Sequence, residues 1–396
     1  MLKKLISFLN NKTITIWGYG VEGKSTHDFL SKYTKSEVFI VDSDTNIKDR
    51  NGLFSKSDLI FKSPGISLHN NNLSFTDYNF TSSSEVFLRF FGSLCIGITG
   101  TKGKSTTAKL IYELIQNTKE KVDLAGNIGI PFFDIIPNIS EKDFVVAEFS
   151  SHQLENIKYS PHIAILLNLF EEHLDYYASA KDYFQAKYNI YKHQNTNDKL
   201  ITLPSIKNTP YPIEDIKYTT DVLIHQHSIS VLFQVAKILN INTKLVDKTI
   251  AEFTSLEHRL EFVIQKNGTK YYNDSISTIP QSCIEGIKAL KDVNILILGG
   301  MDRGIDYSSL CQYIENDNNI KYLFLLDKTG QTIFNNIDKS KFDKVVYKET
   351  LSEIISELKN LKLSGVCLFS PAASSYNQFK NFQERGNYFK SLINEL

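Results

Sequence analysis

Between Cys95 and Thr107 the chain passes from an apolar run through a glycine loop, G-T-K-G-K-S-T (100–106), into a helix-period segment with apolar residues at Leu110, Ile111, Leu114 and Ile115. A strand that turns so tightly into a helix belongs in an α/β sheet, with the loop at the strand's carboxyl end. Similar apolar runs recur at Ile14–Trp17, Val38–Val41, Phe144–Ala147, Ile163–Leu169, Val293–Leu298, Tyr322–Leu326 and Val366–Phe369, alternating with helical patterns. That alternation predicts an α/β protein with mostly parallel sheets. A length of 396 residues fits two or three domains. Helical patterns end just before a new strand in two places: Ser84–Phe91 before Leu94–Thr99, and again near Phe253–Glu257 before Leu260–Gln265. We therefore expect three domains, 1–92, 93–255 and 256–396. The segment Asn197–Asp221, with Pro204, Pro210 and Pro212, reads as an irregular connection.

Composition narrows the partners. Lys plus Arg and Asp plus Glu are 44 each, so no basic excess points to nucleic acid or anionic lipid, and neither nucleic acid nor membrane is expected as a partner. The N-terminal apolar run is only about five residues, short of a signal-peptide core. A cytoplasmic protein starting at Met1 is expected. Cys95, Cys283, Cys311 and Cys367 lack metal-ligand spacing and read as buried free thiols.

The loop 100–106 carries the clearest chemistry. Its backbone N–H groups can converge on phosphate oxygens, the following helix adds positive potential, Lys104 can reach the outer phosphates and Ser105 can ligate Mg²⁺. A nucleoside triphosphate with Mg²⁺ is the expected pair. The spacing, G-x-x-G-K-S, is two residues shorter than the commonest phosphate loop. A first glycine loop, Gly18-Tyr-Gly-Val-Glu-Gly23, follows Ile14–Trp17, with Asp42 at the end of the next strand. On the residues alone it fits NAD, the diphosphate of another nucleotide, or a tight turn. Glu148 directly follows Phe144–Ala147, where a Mg²⁺ shared with Ser105 would want a hard oxygen ligand. The segment N-L-F-E-E-H-L-D (168–175) offers Glu171, Glu172, His173 and Asp175. Lys187 reads, on pattern alone, as an ordinary helical lysine.

Taken together, GTKGKST, EFSSHQL (148–154), NLFEEHLD, EHRLE (257–261), YNDS (272–275), GGMDRG (299–304) and the block SPAASSYNQFKNFQERGNYF (370–389) resemble the Mur ligase family, ATP-dependent amide-forming enzymes of peptidoglycan precursor synthesis. The C-terminal block and SPGI (63–66) are similar to the branch that adds D-glutamate to UDP-N-acetylmuramoyl-L-alanine. The resemblance implies three domains: a Rossmann-like N-terminal domain, a central phosphate-loop ATPase-type α/β domain and a Rossmann-like C-terminal domain. It implies that the first glycine loop holds the UDP-sugar, through Gly18, Gly20, Val21, Glu22, Gly23, Asp42, Ser63, Pro64 and Gly65. ATP would be bound by Gly100, Thr101, Lys102, Gly103, Lys104, Ser105, Thr106, Asn127, Arg259 and Asp274. Metal ligation would fall to Ser105, Glu148, His173 and a carbamylated Lys187; Lys104, His173, Lys187 and Arg259 would be the catalytic residues. D-Glutamate would be held by Thr278, Arg303, Ser375 and Phe382. For Ser374 and Ser375, capping of a helix that starts there is the structural alternative.

The chain departs from the family pattern at three points. The adenine-binding H-N-x-x-N is His227-Ser-Ile-Ser-Val231, N-D-S-K ends in Ile276, and the uridine-end D-T-R is Asp42-Ser-Asp44. A sister amino-acid ligase and a catalytically weakened binding homologue are the alternative readings. The chain is expected to act as a monomer.

Overall fold

The computed structural model describes residues 1–170, 176–177, 179–220, 222–290 and 292–396. Glu171, Glu172, His173 and Asp175 therefore lie outside the described residues. The chain forms two compact units, Met1–Phe253 and Thr254–Leu396.

The first unit holds two parallel sheets. One consists of β1 (Thr13–Trp17), β2 (Glu37–Val41), β3 (Leu59–Lys62) and β4 (Phe80–Thr81), in the order β2-β1-β3-β4. The other consists of β5 (Cys95–Thr99), β6 (Val122–Gly126), β7 (Phe144–Glu148), β8 (Ile163–Leu166), β9 (Lys199–Thr202) and β10 (Tyr211–Pro212), in the order β10-β9-β8-β5-β7-β6. Every residue of β5 and β8 is buried, as strands covered by helices on both faces require. The phosphate loop leaves β5 where the strand order turns back on itself, between β7 and β8, the position at which open α/β sheets form their ligand crevice.

Both sheets feed one core. Ile14, Ile16 and Phe61 of the first pack in the same cluster as Val145, Ala147 and Leu166 of the second. Phe132 stacks between Phe87 and Phe149, at centroid distances of 4.4 and 5.5 Å. This shared apolar layer is why Met1–Phe253 is a single unit, although the first sheet ends ahead of the expected joint and the turn Gly92–Leu94 leads into β5. On the other side of β5, Leu110, Ile111 and Leu114 of the Lys104–Asn117 helix meet Val231, Leu232 and Val235 of the Gln226–Ile238 helix.

The second unit is a six-stranded sheet of β11 (Glu261–Lys266), β12 (Thr269–Asn273), β13 (Val293–Gly299), β14 (Tyr322–Leu326), β15 (Lys344–Lys348) and β16 (Gly365–Phe369), ordered β11-β12-β16-β13-β14-β15. Only β11 runs antiparallel to its neighbour, joined to β12 by Asn267-Gly268 with both residues at positive φ, the conformation a tight hairpin demands.

Two expectations are corrected. The segment Asn197–Asp221 is not wholly irregular, since it contains β9 and the edge strand β10, short strands flanked or filled by Pro204 and Pro212. The run Ile163–Leu169 stops as a strand at Leu166, because Asn168 turns its polar groups to the phosphate loop. The four cysteines are free and buried, and no described helix is long and apolar enough to cross a membrane.

Candidate active site

The phosphate loop begins with Gly100 and turns into its helix at Gly103, whose φ of 83° favours glycine over any residue with a Cβ. Asn168, just past β8, fixes the loop from outside. Its Oδ1 accepts from Thr101 N–H at 3.1 Å and Lys102 N–H at 2.8 Å, and its Nδ2 donates to the Lys102 carbonyl at 3.1 Å. The Thr101 hydroxyl accepts from Phe170 N–H at 2.9 Å, and Lys104 Nζ donates to the Thr101 carbonyl at 3.0 Å. Gly103, Lys104 and Thr106 are half-buried and Ser105 is buried at the start of a 14-residue helix, so its N-terminal N–H groups and dipole face the loop.

Lys187 corrects the expectation of an ordinary helical lysine. It is 2% exposed, and its Nζ donates to the Gly100 carbonyl at 2.8 Å, over the ring of Tyr183. Tyr183, Ala186, Lys187 and Ile190 are the buried residues of the Ala180–Lys192 helix. They follow the i, i+3, i+4, i+7 spacing of a buried face, a signal present in the sequence.

Glu148 ends β7, 1% exposed. Asn127 donates to its Oε1 at 2.7 Å, and Asn127 N–H donates to its carbonyl at 2.9 Å. Asn127, expected at the nucleotide, thus orients the carboxylate. Among the described residues Glu148 Oε2 has no hydrogen-bond partner. A buried carboxylate oxygen left without a donor is costly, and a hard divalent cation is the group that would use it. No cluster of three His, Cys, Asp or Glu suited to a metal occurs among the described residues, which exclude His173.

The first glycine loop lies at the carboxyl ends of β1 and β3. A Cβ on Gly23 would sit 2.2 Å from the Gly18 carbonyl oxygen, so glycine is required for the Val21–Tyr33 helix to approach the strand. Ser63 Oγ donates to the Gly18 carbonyl at 2.9 Å, bringing the Ser63-Pro64-Gly65 turn against the loop. Asp42 accepts from Tyr19 N–H at 3.3 Å. Val21 is exposed, and Gly20 caps the helix. Glu22 is engaged within the chain, accepting from Ser83 Oγ and Gln153 Nε2, each at 2.6 Å.

In the second unit the expected residues gather at the carboxyl ends of β12, β13 and β16. Arg259 sits between two left-handed residues, His258 at φ 63° and Leu260 at φ 44°. The Leu260 N–H donates to Asp274 Oδ1 at 3.2 Å, and Ser370 Oγ donates to Asp274 Oδ2 at 2.8 Å. Burial raises the Asp274 carboxyl to about 6, against the opposing effects of Ser277, Ser370 and the Arg259 charge. Arg303 is exposed in the turn after β13, and that turn is tied to the C-terminal block by Met301 N–H donating to the Ser374 carbonyl at 2.9 Å. Thr278 is half-buried and Ser375 buried. Ser374 and Ser375 do not start a helix. The Ser375 carbonyl closes one turn by accepting from Phe379 N–H at 2.9 Å, and the helix begins at Phe382, capped by Asn381.

Arg385 has no role that its sequence context alone reveals. It is 1% exposed and stitches two loops of this edge, donating from Nε to Ser275 Oγ at 3.0 Å, from Nη2 to the Ser275 carbonyl at 2.8 Å and from Nη1 to the Ala373 carbonyl at 2.9 Å. Burial lowers its guanidinium to about 9. Like Lys187, it lies on a buried helical face, with Phe389 and Ile393.

Residues 98–263 match the model of the Mur ligase middle domain. The UDP-N-acetylmuramoylalanine–D-glutamate ligase of Clostridium acetobutylicum is 30% identical over 99% of this chain and 98% of its own length. Its namesake in Aquifex aeolicus is 32% identical over 96% and 97%. The chain belongs to the Mur ligase family. Its fold is that of solved Mur ligases: the UDP-N-acetylmuramate–alanine ligase of Thermotoga maritima superposes with a TM-score of 0.60 at 14% identity, over 97% of this chain and 99% of that one. The MurF ligase of the same organism, in complex with ADP, gives 0.59 at 15% identity, over 98% and 96%.

Within this Mur ligase the unusual H-S-I-S-V segment serves packing. Ser228 Oγ accepts from Thr107 Oγ1 at 3.0 Å, and Val231 is fully buried against the Lys104–Asn117 helix. Ile276 is half-buried, its N–H donating to the His258 carbonyl at 3.1 Å.

Asn168→Ala removes the side chain that spans the loop, so we expect KM for ATP to rise about tenfold with the fold retained, as one to two net hydrogen bonds imply; an unchanged KM in steady-state kinetics contradicts the assignment. Asp274 gives a pH prediction. With its folded value near 6 above the unfolded 3.8, the folded chain holds more proton between them, so its contribution to stability grows as pH falls through 6 and is lost as pH rises through it. Between about pH 7.5 and about pH 5, urea unfolding should shift in favour of the wild type over Asp274→Asn by on the order of 1 kcal/mol; a pH-independent difference contradicts it.

Proposed function

We propose that this ligase joins D-glutamate to UDP-N-acetylmuramoyl-L-alanine, at the expense of ATP, in peptidoglycan precursor synthesis. The observation that carries the reading is the pairing of a braced phosphate loop with the buried, half-satisfied carboxylate of Glu148. Full-length similarity to ligases named for these substrates supports it.

A carboxylate is a poor acyl donor. In the proposed reaction an oxygen of the L-alanine carboxylate attacks the γ-phosphorus of ATP, the bond to ADP breaks, and an acyl phosphate forms. The amine of D-glutamate, already neutral, then attacks the acyl carbon, phosphate departs with its pair of electrons, and the nitrogen gives up one further proton to become the amide N–H. The chain's part is positioning and charge neutralisation. With the Thr101 and Lys102 N–H groups held by Asn168, the turn at 103–106 and the helix N-terminus face the triphosphate, with Lys104 at its outer phosphates. Ser105, Glu148, His173 and Lys187, the last as its carbamate, would hold Mg²⁺, which when bound neutralises phosphate charge and orients the transferring group. A carbamate would replace the Lys187 cation by an anionic oxygen donor. Asn127 keeps Glu148 turned in the required direction, and Asn168 keeps the loop open for phosphate.

The segment 1–92 is assigned to the UDP-sugar, 93–255 to ATP and 256–396 to the amino acid. In the last, Arg259 is assigned to the γ-phosphate and Asp274 to the ribose. Thr278, Arg303, Ser375 and Phe382 are assigned to D-glutamate, whose two carboxylates call for a cation and hydroxyl donors. A monomer is assigned, and the reaction's soluble substrates fit a cytoplasmic enzyme.

Incubation of the purified chain with UDP-N-acetylmuramoyl-L-alanine, D-glutamate, ATP and Mg²⁺ should yield the glutamate-added product by mass spectrometry. Lys104→Ala should lower kcat by about a hundredfold or more while the circular dichroism spectrum is kept. No product from the wild type, or wild-type turnover by Lys104→Ala, contradicts the reading.

A further inference from the structure

Lys62 closes β3 immediately before the Ser63-Pro64-Gly65-Ile66 turn, yet its side chain is only 5% exposed. Its Nζ donates to the Ile66 carbonyl at 2.8 Å, lies 3.3 Å from Glu155 Oε2 and donates to the Tyr176 hydroxyl at 3.2 Å. That hydroxyl is in turn 2.9 Å from both Glu155 Oε2 and the Ile66 carbonyl and 3.1 Å from the Pro64 carbonyl, its single proton going to one of the three. Ser67 Oγ donates to the Tyr176 carbonyl at 3.2 Å, so the turn is held to Tyr176 by side chain and backbone alike.

The three residues come from three different places. Lys62 belongs to the first sheet. Glu155 directly follows the Ser151–Leu154 helix, which leaves β7 beyond Glu148, and Tyr176 belongs to the segment that follows N-L-F-E-E-H-L-D. Two clefts share Lys62 in their walls, one with Glu22, Gly23 and Ser63, the other with Pro64, His152 and Glu155. Burial lowers the Lys62 ammonium and Glu155 opposes that, while burial and Glu155 both raise the Tyr176 hydroxyl, which stays protonated. A buried ion pair of this kind adds little to stability compared with an apolar contact but admits few geometries.

We infer that Lys62, Glu155 and Tyr176 are positioning residues, a buried latch that fixes the 63–66 turn against the segments flanking Glu148 and so sets where the nucleotide-sugar lies relative to the phosphate loop. None of the three is assigned a contact with substrate. The inference rests on the ligase reading above, and it separates placement of the sugar nucleotide from binding of ATP. A structural brace alone would lower stability and leave the two Michaelis constants in proportion.

The decisive variant is Tyr176→Phe, which removes one hydroxyl and keeps the ring. KM for UDP-N-acetylmuramoyl-L-alanine should rise about tenfold, with KM for ATP and the melting temperature close to wild type. Glu155→Gln, which keeps the shape and removes the charge, should move the same constant in the same direction and serves if Tyr176→Phe does not fold. An unchanged KM for the sugar nucleotide, or an equal rise for ATP, overturns the latch. Wild-type enzyme that neither binds nor turns over the sugar nucleotide overturns the ligase reading instead, so the two failures are distinct.

Discussion

The second sheet and its helices hold the strand-to-helix turn at 100–106 in one shape, and the site depends on that constraint. The amides of residues 103–106 can serve phosphate only if the preceding part of the loop is held in place by other groups. Asn168 takes the Thr101 and Lys102 N–H groups and the Lys102 carbonyl, Lys187 the Gly100 carbonyl, and the Lys104–Asn117 helix fixes the far end. Those anchors come from the end of β8 and from the Ala180–Lys192 helix, so the loop's geometry depends on the packing of the whole second sheet.

Polar groups buried at strand ends recur throughout the molecule. Glu148, Asp274, Lys62 and Arg385 are all nearly inaccessible. Each follows, or is bonded to, the carboxyl end of a parallel strand, where α/β sheets collect ligands. Asp274 and Arg385 are satisfied by hydroxyls and backbone groups and thereby shape the loops around Ser275 and Ala373. Glu148 differs, since one of its oxygens lacks a donor among the described residues. That open oxygen is what a metal-binding carboxylate shows.

The strands were legible because short apolar runs bounded by glycine or polar residues have few alternatives; β14 occupies Tyr322–Leu326 as expected. The phosphate loop was legible because its chemistry is local. The short strands β9 and β10 were not, since prolines around them mask a ladder that is built outward from β8, β9 on β8 and β10 on β9. Asn168 and the Lys62–Glu155–Tyr176 cluster depend on contacts across as many as 114 residues of sequence, which no local pattern records. Lys187 and Arg385 stand between these cases. Each occupies the apolar face of its helix, and a charged residue on such a face is a sign of a buried polar role. Ser374 and Ser375 resembled a helix start because hydroxyls cap helices, but Asn381 supplies the cap instead.

The central claim is that the loop at 100–106 delivers a phosphoryl group to a substrate carboxylate before the amide forms. Transfer of oxygen tests it most directly. With UDP-N-acetylmuramoyl-L-alanine labelled with ¹⁸O in both carboxylate oxygens, and with D-glutamate and ATP present, the released inorganic phosphate should carry one labelled oxygen per product formed, the other remaining in the new amide carbonyl. Phosphate free of label, alongside normal product formation, would contradict the account.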